Sequence, residues 1–219
     1  MTDLYTPTPR TTATRNRARM RYERAVAHAI LDEAYDCSVA FVVDGAPRIL
    51  PTLHVRVGGT VYLHASTGGR LGLSAAGDGV AVCLSVTLLD GIVYARSQFH
   101  HSANYRSVVA HGIARPVTDD AEKRSAMVAL VEKVGTGRAA DSRPPNRKEL
   151  AETAVLALPL TEVSVRSRAG GVATGLYYPA YSALVPSLVP EGDLLAANGL
   201  DGVVRPMLAQ AAGPAAAGL

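Results

Sequence analysis

The sequence predicts a mainly β, α+β domain of six to eight short antiparallel strands with flanking helices, followed by an apolar helical C-terminal tail. Three observations predict it. Apolar, β-branched runs recur between Cys37 and Arg168, many of them separated by Asp-Gly or Gly-Gly turn signals. Strands joined by only a few residues must be antiparallel neighbours, because a parallel crossover needs about a dozen residues or more. Hydrophobic residues make up 48% of the 219, enough for a core, and hairpin-joined strands hide their edges by closing into a barrel or sandwich.

The elements follow in order. Residues 1–20 are rich in Thr, Pro and Arg and read as a mobile basic arm. Residues 21–34 carry Ala25, Ile30 and Leu31 without Gly or Pro, which predicts a helix. Residues 37–43 form an apolar strand, and Asp44-Gly45 is a hairpin signal. The chain returns over 49–57, turns at Gly58-Gly59, and makes a third strand over 60–64. After Ser66-Thr67-Gly68-Gly69-Arg70 a short helix is expected up to Ala76.

Residues 80–87 and 92–96 read as two strands with Asp90-Gly91 between them, and 105–116 as a long one. Residues 119–134 have the strongest helix pattern. Asp119 and Glu122 have capping-box spacing, Met127, Leu130, Val131 and Val134 share a face, and Gly135 stops the helix. Arg143-Pro144-Pro145 is a loop, and 154–158 and 162–168 are the last strands.

The net charge of +3 comes largely from the start of the chain, where Arg10, Arg15, Arg17, Arg19, Arg21 and Arg24 face only Asp3 and Glu23. A nucleic-acid arm or an Arg-rich targeting peptide has this composition, but a solvated tail is the plainer reading. Aromatic residues at 5% give no stacking surface for single strands, so no nucleic acid is expected as a partner. The cysteines, Cys37 and Cys83, are too few for a disulfide framework and lie in strand-like runs, which fits a cytoplasmic protein.

Chemistry concentrates at Pro51-Thr52-Leu53-His54-Val55-Arg56 and, past the hairpin, at Tyr62-Leu63-His64-Ala65-Ser66-Thr67-Gly68-Gly69-Arg70. Glycines that expose N–H groups, two hydroxyls and a guanidinium fork make an anion site, set against the alternative of an ordinary polar loop. A helix beginning near Arg70 would add favourable potential. The Walker spacing is missing. Gly135-Thr136-Gly137-Arg138-Ala139-Ala140 matches the loose dinucleotide pattern but follows a helix instead of a strand, and is rejected.

The hairpin, His64-Ala65-Ser66-Thr67-Gly68-Gly69-Arg70, the run from Val82 to Gly91, and His100-His101-Ser102-Ala103-Asn104-Tyr105-Arg106-Ser107-Val108-Val109 occur in this order. Together they resemble the pyridoxamine 5′-phosphate oxidase-like flavoproteins, and within them the branch that includes the nitroimidazole-resistance reductases. The resemblance spans 22–168. It implies a split β-barrel over 21–168 that works as a homodimer, with FMN at the subunit interface and a small molecule as substrate.

By the same resemblance Pro51, Thr52, Leu53, His54, Val55 and Arg56 run along the isoalloxazine edge, and Leu63 and His64 continue the pocket. Ser66, Thr67 and Arg70 hold the phosphate, Arg70 standing alone where relatives outside this branch often have two basic residues. Tyr105, Arg106 and Ser107 reach the flavin from the partner subunit. The activity implied is an FMN-dependent oxidoreductase with no catalytic side chain named. A non-catalytic flavin or haem module is the alternative.

His28 and His111 show no partner pattern and read as structural or surface residues. His100 and His101 are adjacent, so on a strand they point to opposite faces and do not share a metal ion, and no metal is expected. Between Ala169 and Pro190 there is no charged side chain. With the run from Leu194 to Leu219, this stretch resembles a fragment of a major facilitator exporter, so membrane contact through 169–219, or a truncated fusion, is a further expectation.

Overall fold

The computed structural model describes residues 3–95 and 97–169. The expected tail helices over 169–219 therefore lie, past Ala169, outside the described residues. No helix among the described residues is long and apolar enough to cross a membrane. The chain divides into two compact units, Met1–Leu88 with Ser107–Arg166, and Leu89–Arg106 with Ser167–Leu219.

Among the described residues the elements are β1 (Met20–Arg21), α1 (Arg24–Glu33), β2 (Asp36–Val43), β3 (Ala46–Val57), β4 (Thr60–Ser66), α2 (Arg70–Ala75), β5 (Val80–Val93), β6 (Ser102–Pro116), α3 (Asp120–Val134), α4 (Arg138–Asp141), α5 (Arg147–Glu152), β7 (Thr153–Pro159) and β8 (Glu162–Arg168). The strands form one eight-stranded sheet in the order β1-β8-β6-β5-β2-β3-β4-β7, and β6 also pairs with β7, so the sheet closes on itself. This is the split barrel expected from the sequence.

The local reasons are those of strand alternation and turn chemistry. In β2 the buried positions are Cys37, Val39 and Phe41, every second residue, and the first half of β5 buries Val82, Leu84 and Val86 in the same alternation. With Val61, Leu63, Leu156, Leu158, Val163 and Val165 they fill the barrel. Asp44 and Gly45 turn β2 into β3 with φ of 52° and 74°, the left-handed pair that a two-residue hairpin requires. α1 closes one end of the core with Ala27, Ile30 and Leu31. Asp119 caps α3 by accepting from the Glu122 N–H at 2.7 Å.

Three expectations are corrected. Asp90-Gly91 is not a turn: β5 runs through it as one strand, and Gly91 takes no left-handed φ. β3 starts at Ala46 and β4 ends at Ser66, so Ser66 belongs to a strand and not to the loop. The N-terminal arm is docked. Tyr5 is 1% exposed, its N–H donates to Tyr22 O, and Leu4 bridges to Glu23. Thr8 and Arg10 both donate to the Glu162 carboxylate, and Arg24 lies over the Tyr5 ring at 4.2 Å. Arginine and threonine here serve specific acceptors on the barrel, which composition alone does not reveal.

Candidate functional site

β3 changes partner along its length. Residues 46–53 pair with β2, and residues 54–57 pair with β4. β4 meanwhile pairs with β7 as far as Ser66. Beyond the His54–Leu63 pair, β3 and β4 therefore diverge, held only by a long hydrogen bond of 3.5 Å from Thr52 Oγ1 to His64 O. The fork between them is open.

That fork is a hollow of about 500 Å³ lined by Arg48, Ile49, Leu50 and Thr52 from β3, His64, Ala65 and Ser66 from β4, Gly69, Arg70 and Leu71 from the bend and α2, and Phe41 from β2. Of the residues singled out from the sequence, Thr52, His64, Ser66 and Arg70 meet here. Arg48 and Ile49 also line it, although the resemblance implies no site residue before Pro51. A charged residue amid the apolar strand 46–50 is the signal that marks Arg48.

The bend itself is wound shut. Gly69 N–H donates to Ser66 O at 3.0 Å, and Thr67 gives both its N–H and its hydroxyl to Glu152 O, at 3.1 and 3.2 Å. The expected row of free backbone donors is thus engaged within the protein at these positions, and Thr67 ties the bend to α5. Gly72 is needed for the packing: a Cβ there would lie 2.5 Å from Ser66 O. α2 has six residues, and no side chain caps its start.

A second hollow, about 600 Å³, lies against Leu53 and is lined by His64, Leu130, Val131, Val134, Gly135, Arg138 and Ser142. A neighbouring space of about 210 Å³ adds Met127, Val128 and the loop Arg143-Pro144-Pro145. The apolar face of α3 is where the sequence put it, but Val131 and Val134 remain 40% and 54% exposed, as walls of a hollow and not as packed core. Thr52 and Leu53 serve different hollows because successive strand residues point to opposite faces. His64 borders both, with its Nδ1 buried and unpartnered.

The remaining sequence candidates are placed elsewhere. His54 is fully buried; its Nε2 lies 2.9 Å from Leu31 O, and burial, then the Lys133 charge, pull its pKa to about 4. Arg56 holds Asp32 bidentately at 2.9 and 2.6 Å and also donates to Gly58 O. Val55 and Leu63 are core, and Pro51 is an exposed residue opposite Ser38. Ser107 donates to Arg166 O at 3.1 Å. In the 89–106 segment, Arg106 is chelated by Asp90, with contacts of 2.7 to 3.1 Å, and Tyr105 is half-buried on β6.

His28 contacts the Tyr5 hydroxyl at 3.1 Å, a partner from the arm. His101 Nδ1 accepts from Ala95 N at 2.9 Å, whereas His100 packs edge-on against Phe99. Among the described residues no three His, Cys, Asp or Glu side chains cluster as metal ligands. Gly135-Thr136-Gly137 follows α3 and leads into the four-residue α4, so no strand precedes it.

A profile of the family described as pyridoxamine 5′-phosphate oxidase matches residues 23–167. The chain is similar in structure to the flavocytochrome Anf3 from Azotobacter vinelandii, at 34% identity and TM-score 0.69, covering 76% of this chain and 77% of that one. It is similar also to the FAD and heme binding protein from Mycobacterium smegmatis, at 37% identity and TM-score 0.65, covering 69% and 74%. A protein of Bacteroides thetaiotaomicron described as a 5-nitroimidazole antibiotic resistance protein shares the fold at 18% identity and TM-score 0.56, covering 67% and 84%. No curated protein matches. The profile takes in α1 and the strands from β2 to β8, the barrel just described, and the chain therefore belongs to the pyridoxamine 5′-phosphate oxidase family.

Proposed function

We propose that this chain is a flavin-binding oxidoreductase that seats the flavin's phosphate in the fork between β3 and β4. The observation that carries the reading is the meeting of Thr52, His64, Ser66 and Arg70 in one hollow, with Arg70 making no ion pair or hydrogen bond among the described residues. The residues fit the group. A phosphate asks for a guanidinium fork and hydroxyl donors, and a planar ring asks for apolar walls of the kind Ile49, Leu50, Ala65 and Leu71 supply.

The sequence pointed to FMN, and the relative from Mycobacterium smegmatis is an FAD and heme binding protein. The phosphate on the ribityl chain is common to FMN and FAD, and it is that group Ser66 and Arg70 serve. The flavin, when bound, supplies the hydride and electron chemistry. The chain binds and orients it, and the second hollow, walled by Leu53, Leu130, Val131 and Val134, receives a small apolar substrate out of water.

The working form is a homodimer with the flavin at the interface, Tyr105, Arg106 and Ser107 approaching it from the partner. Val42 and Ile49, 59% and 70% exposed on the β2–β3 hairpin, favour a covering partner beside the hollow. Free Cys37 and Cys83 favour a cytoplasmic setting.

The test is to titrate the full chain with riboflavin, FMN and FAD, following flavin fluorescence and absorption. Binding of a flavin nucleotide tighter than riboflavin is expected, and Arg70→Gln should remove that advantage. A colourless protein that ignores all three overturns the reading. Binding without turnover by any nicotinamide reductant leaves a flavin module and removes the enzyme. A second reading, haem in the larger hollow, is favoured by His64 on its wall with a buried unpartnered nitrogen. A Soret band in the purified protein would support it.

A further inference from the structure

Arg48 and Arg70 come from different elements, β3 and α2, and line the same hollow. Neither makes an ion pair or hydrogen bond among the described residues. Arg56 is neutralised by Asp32, Arg10 by Glu162, and Arg143 by Glu149. No aspartate or glutamate lines the hollow. Both guanidiniums are exposed and line a hollow that has no carboxylate on its wall, which makes it a favourable place for an anion.

One guanidinium fork matches one phosphate, taking two of its oxygens in parallel hydrogen bonds. Arg70 beside Ser66 already provides for the phosphate of the ribityl chain. Arg48 is then a second fork. It stands four residues before Thr52 on the same strand, hence about 13 Å away along β3 at the usual rise of ~3.3 Å per residue. Arg48, Ile49, Leu50 and Thr52 all line the hollow, so Arg48 shares it with the Thr52 hydroxyl while standing well along it.

We propose that Arg48 completes a two-cation seat with Arg70 and selects a flavin carrying a diphosphate over one carrying a single phosphate. The inference rests on the hollow being the flavin-phosphate site, and it assigns the choice between FAD and FMN to one side chain. Arg48 is exposed, and its removal leaves no buried group unpaired, so a substitution there reads binding and not folding.

The experiment measures the affinity of the full chain, Arg48→Gln, Arg48→Lys and Arg70→Gln for riboflavin, FMN, FAD and inorganic pyrophosphate, with thermal melts as the folding control. Wild type should prefer FAD to FMN. Arg48→Gln should weaken FAD about tenfold, the scale of one charge-assisted hydrogen bond in an exposed site, while moving FMN by less than about twofold. Arg48→Lys should restore part of the FAD affinity, because the charge returns without the fork. Arg70→Gln should weaken both nucleotides. Equal loss of FMN and FAD in Arg48→Gln, or no loss, overturns the assignment and leaves the flavin reading intact. If wild type binds no flavin but binds pyrophosphate, and Arg48→Gln does not, the flavin reading falls and the two-cation seat stands.

Discussion

Lys133 Nζ on α3 stands 3.2 Å from His54 Nε2 on β3, and both meet one acceptor, Leu31 O in the last turn of α1, at 2.8 and 2.9 Å. The last carbonyls of a helix have no partner within it, and a cation there also favours the helix dipole. Residues far apart in sequence thus cap α1 from the side and tie α3 to the barrel. With Lys133 charged, the arrangement that satisfies Leu31 O has His54 donating from Nε2, which leaves its buried Nδ1 bare. A second proton on His54 would be buried beside the Lys133 charge. Burial first, and Lys133 second, hold His54 near 4.

Stability should therefore fall with acid in a defined window. His54 binds its proton at about 4 when folded, against 6.5 ordinarily. Between those values the unfolded chain takes up a proton that the folded chain refuses. The contribution is complete above the ordinary value and lost as the pH falls toward 4, by up to about 3 kcal/mol. Urea titrations at pH steps across this window measure it, and His54→Gln should flatten the slope. An equal slope in the variant would assign it to other groups.

Lys133→Met should cost about 1 to 2 kcal/mol by removing one donor from Leu31 O. It should also raise the His54 pKa part of the way back, since the neighbouring charge is gone while burial, the larger cause, stays. An NMR titration of the imidazole protons reads the shift. No movement would mean that the two side chains do not sense each other.

Gly72→Ala should disturb the bend that carries Arg70. The added methyl would meet Ser66 O at 2.5 Å and Ala154 Cβ at 3.4 Å, so α2 must move off β4. Overpacking of this kind costs about 1 to 3 kcal/mol. Flavin nucleotide affinity should drop with it, while riboflavin affinity changes less. A melt unchanged from wild type would show that α2 shifts without cost.

Tyr5→Ala tests whether the arm belongs to the fold. Tyr5 is 1% exposed and touches His28 and Arg24. Loss of a buried aromatic costs about 3 kcal/mol or more. Chemical denaturation should show it, whereas a mobile arm would show nothing. Tyr5→Phe should cost only about 1 kcal/mol, that of the hydroxyl contact with His28.

Much of the barrel was legible because its signals are local. Asp44-Gly45 and Gly58-Gly59 mark turns by backbone chemistry, the apolar runs of β2 and β5 mark strands, and Asp119 with Glu122 marks the start of α3. Asp90-Gly91 misled for the same local reason: the dipeptide allows a turn, and pairing along β5 overrides it. The arm misled by composition, since a threonine or an arginine in a sequence does not disclose that Glu162 waits for it.

The sequence by itself determined the strand and helix order and the cluster of hydroxyls and arginine after β4, since those depend on neighbours along the chain. Tertiary structure alone decided which of them share a site. The change of partner along β3 opens the fork, puts Arg48 and Arg70 on the wall of one hollow, and turns Arg56 and His54 away to Asp32 and Leu31. The physical reason is that a side chain's partner is set by the distance between elements that meet only when the sheet closes, and no local pattern encodes that distance.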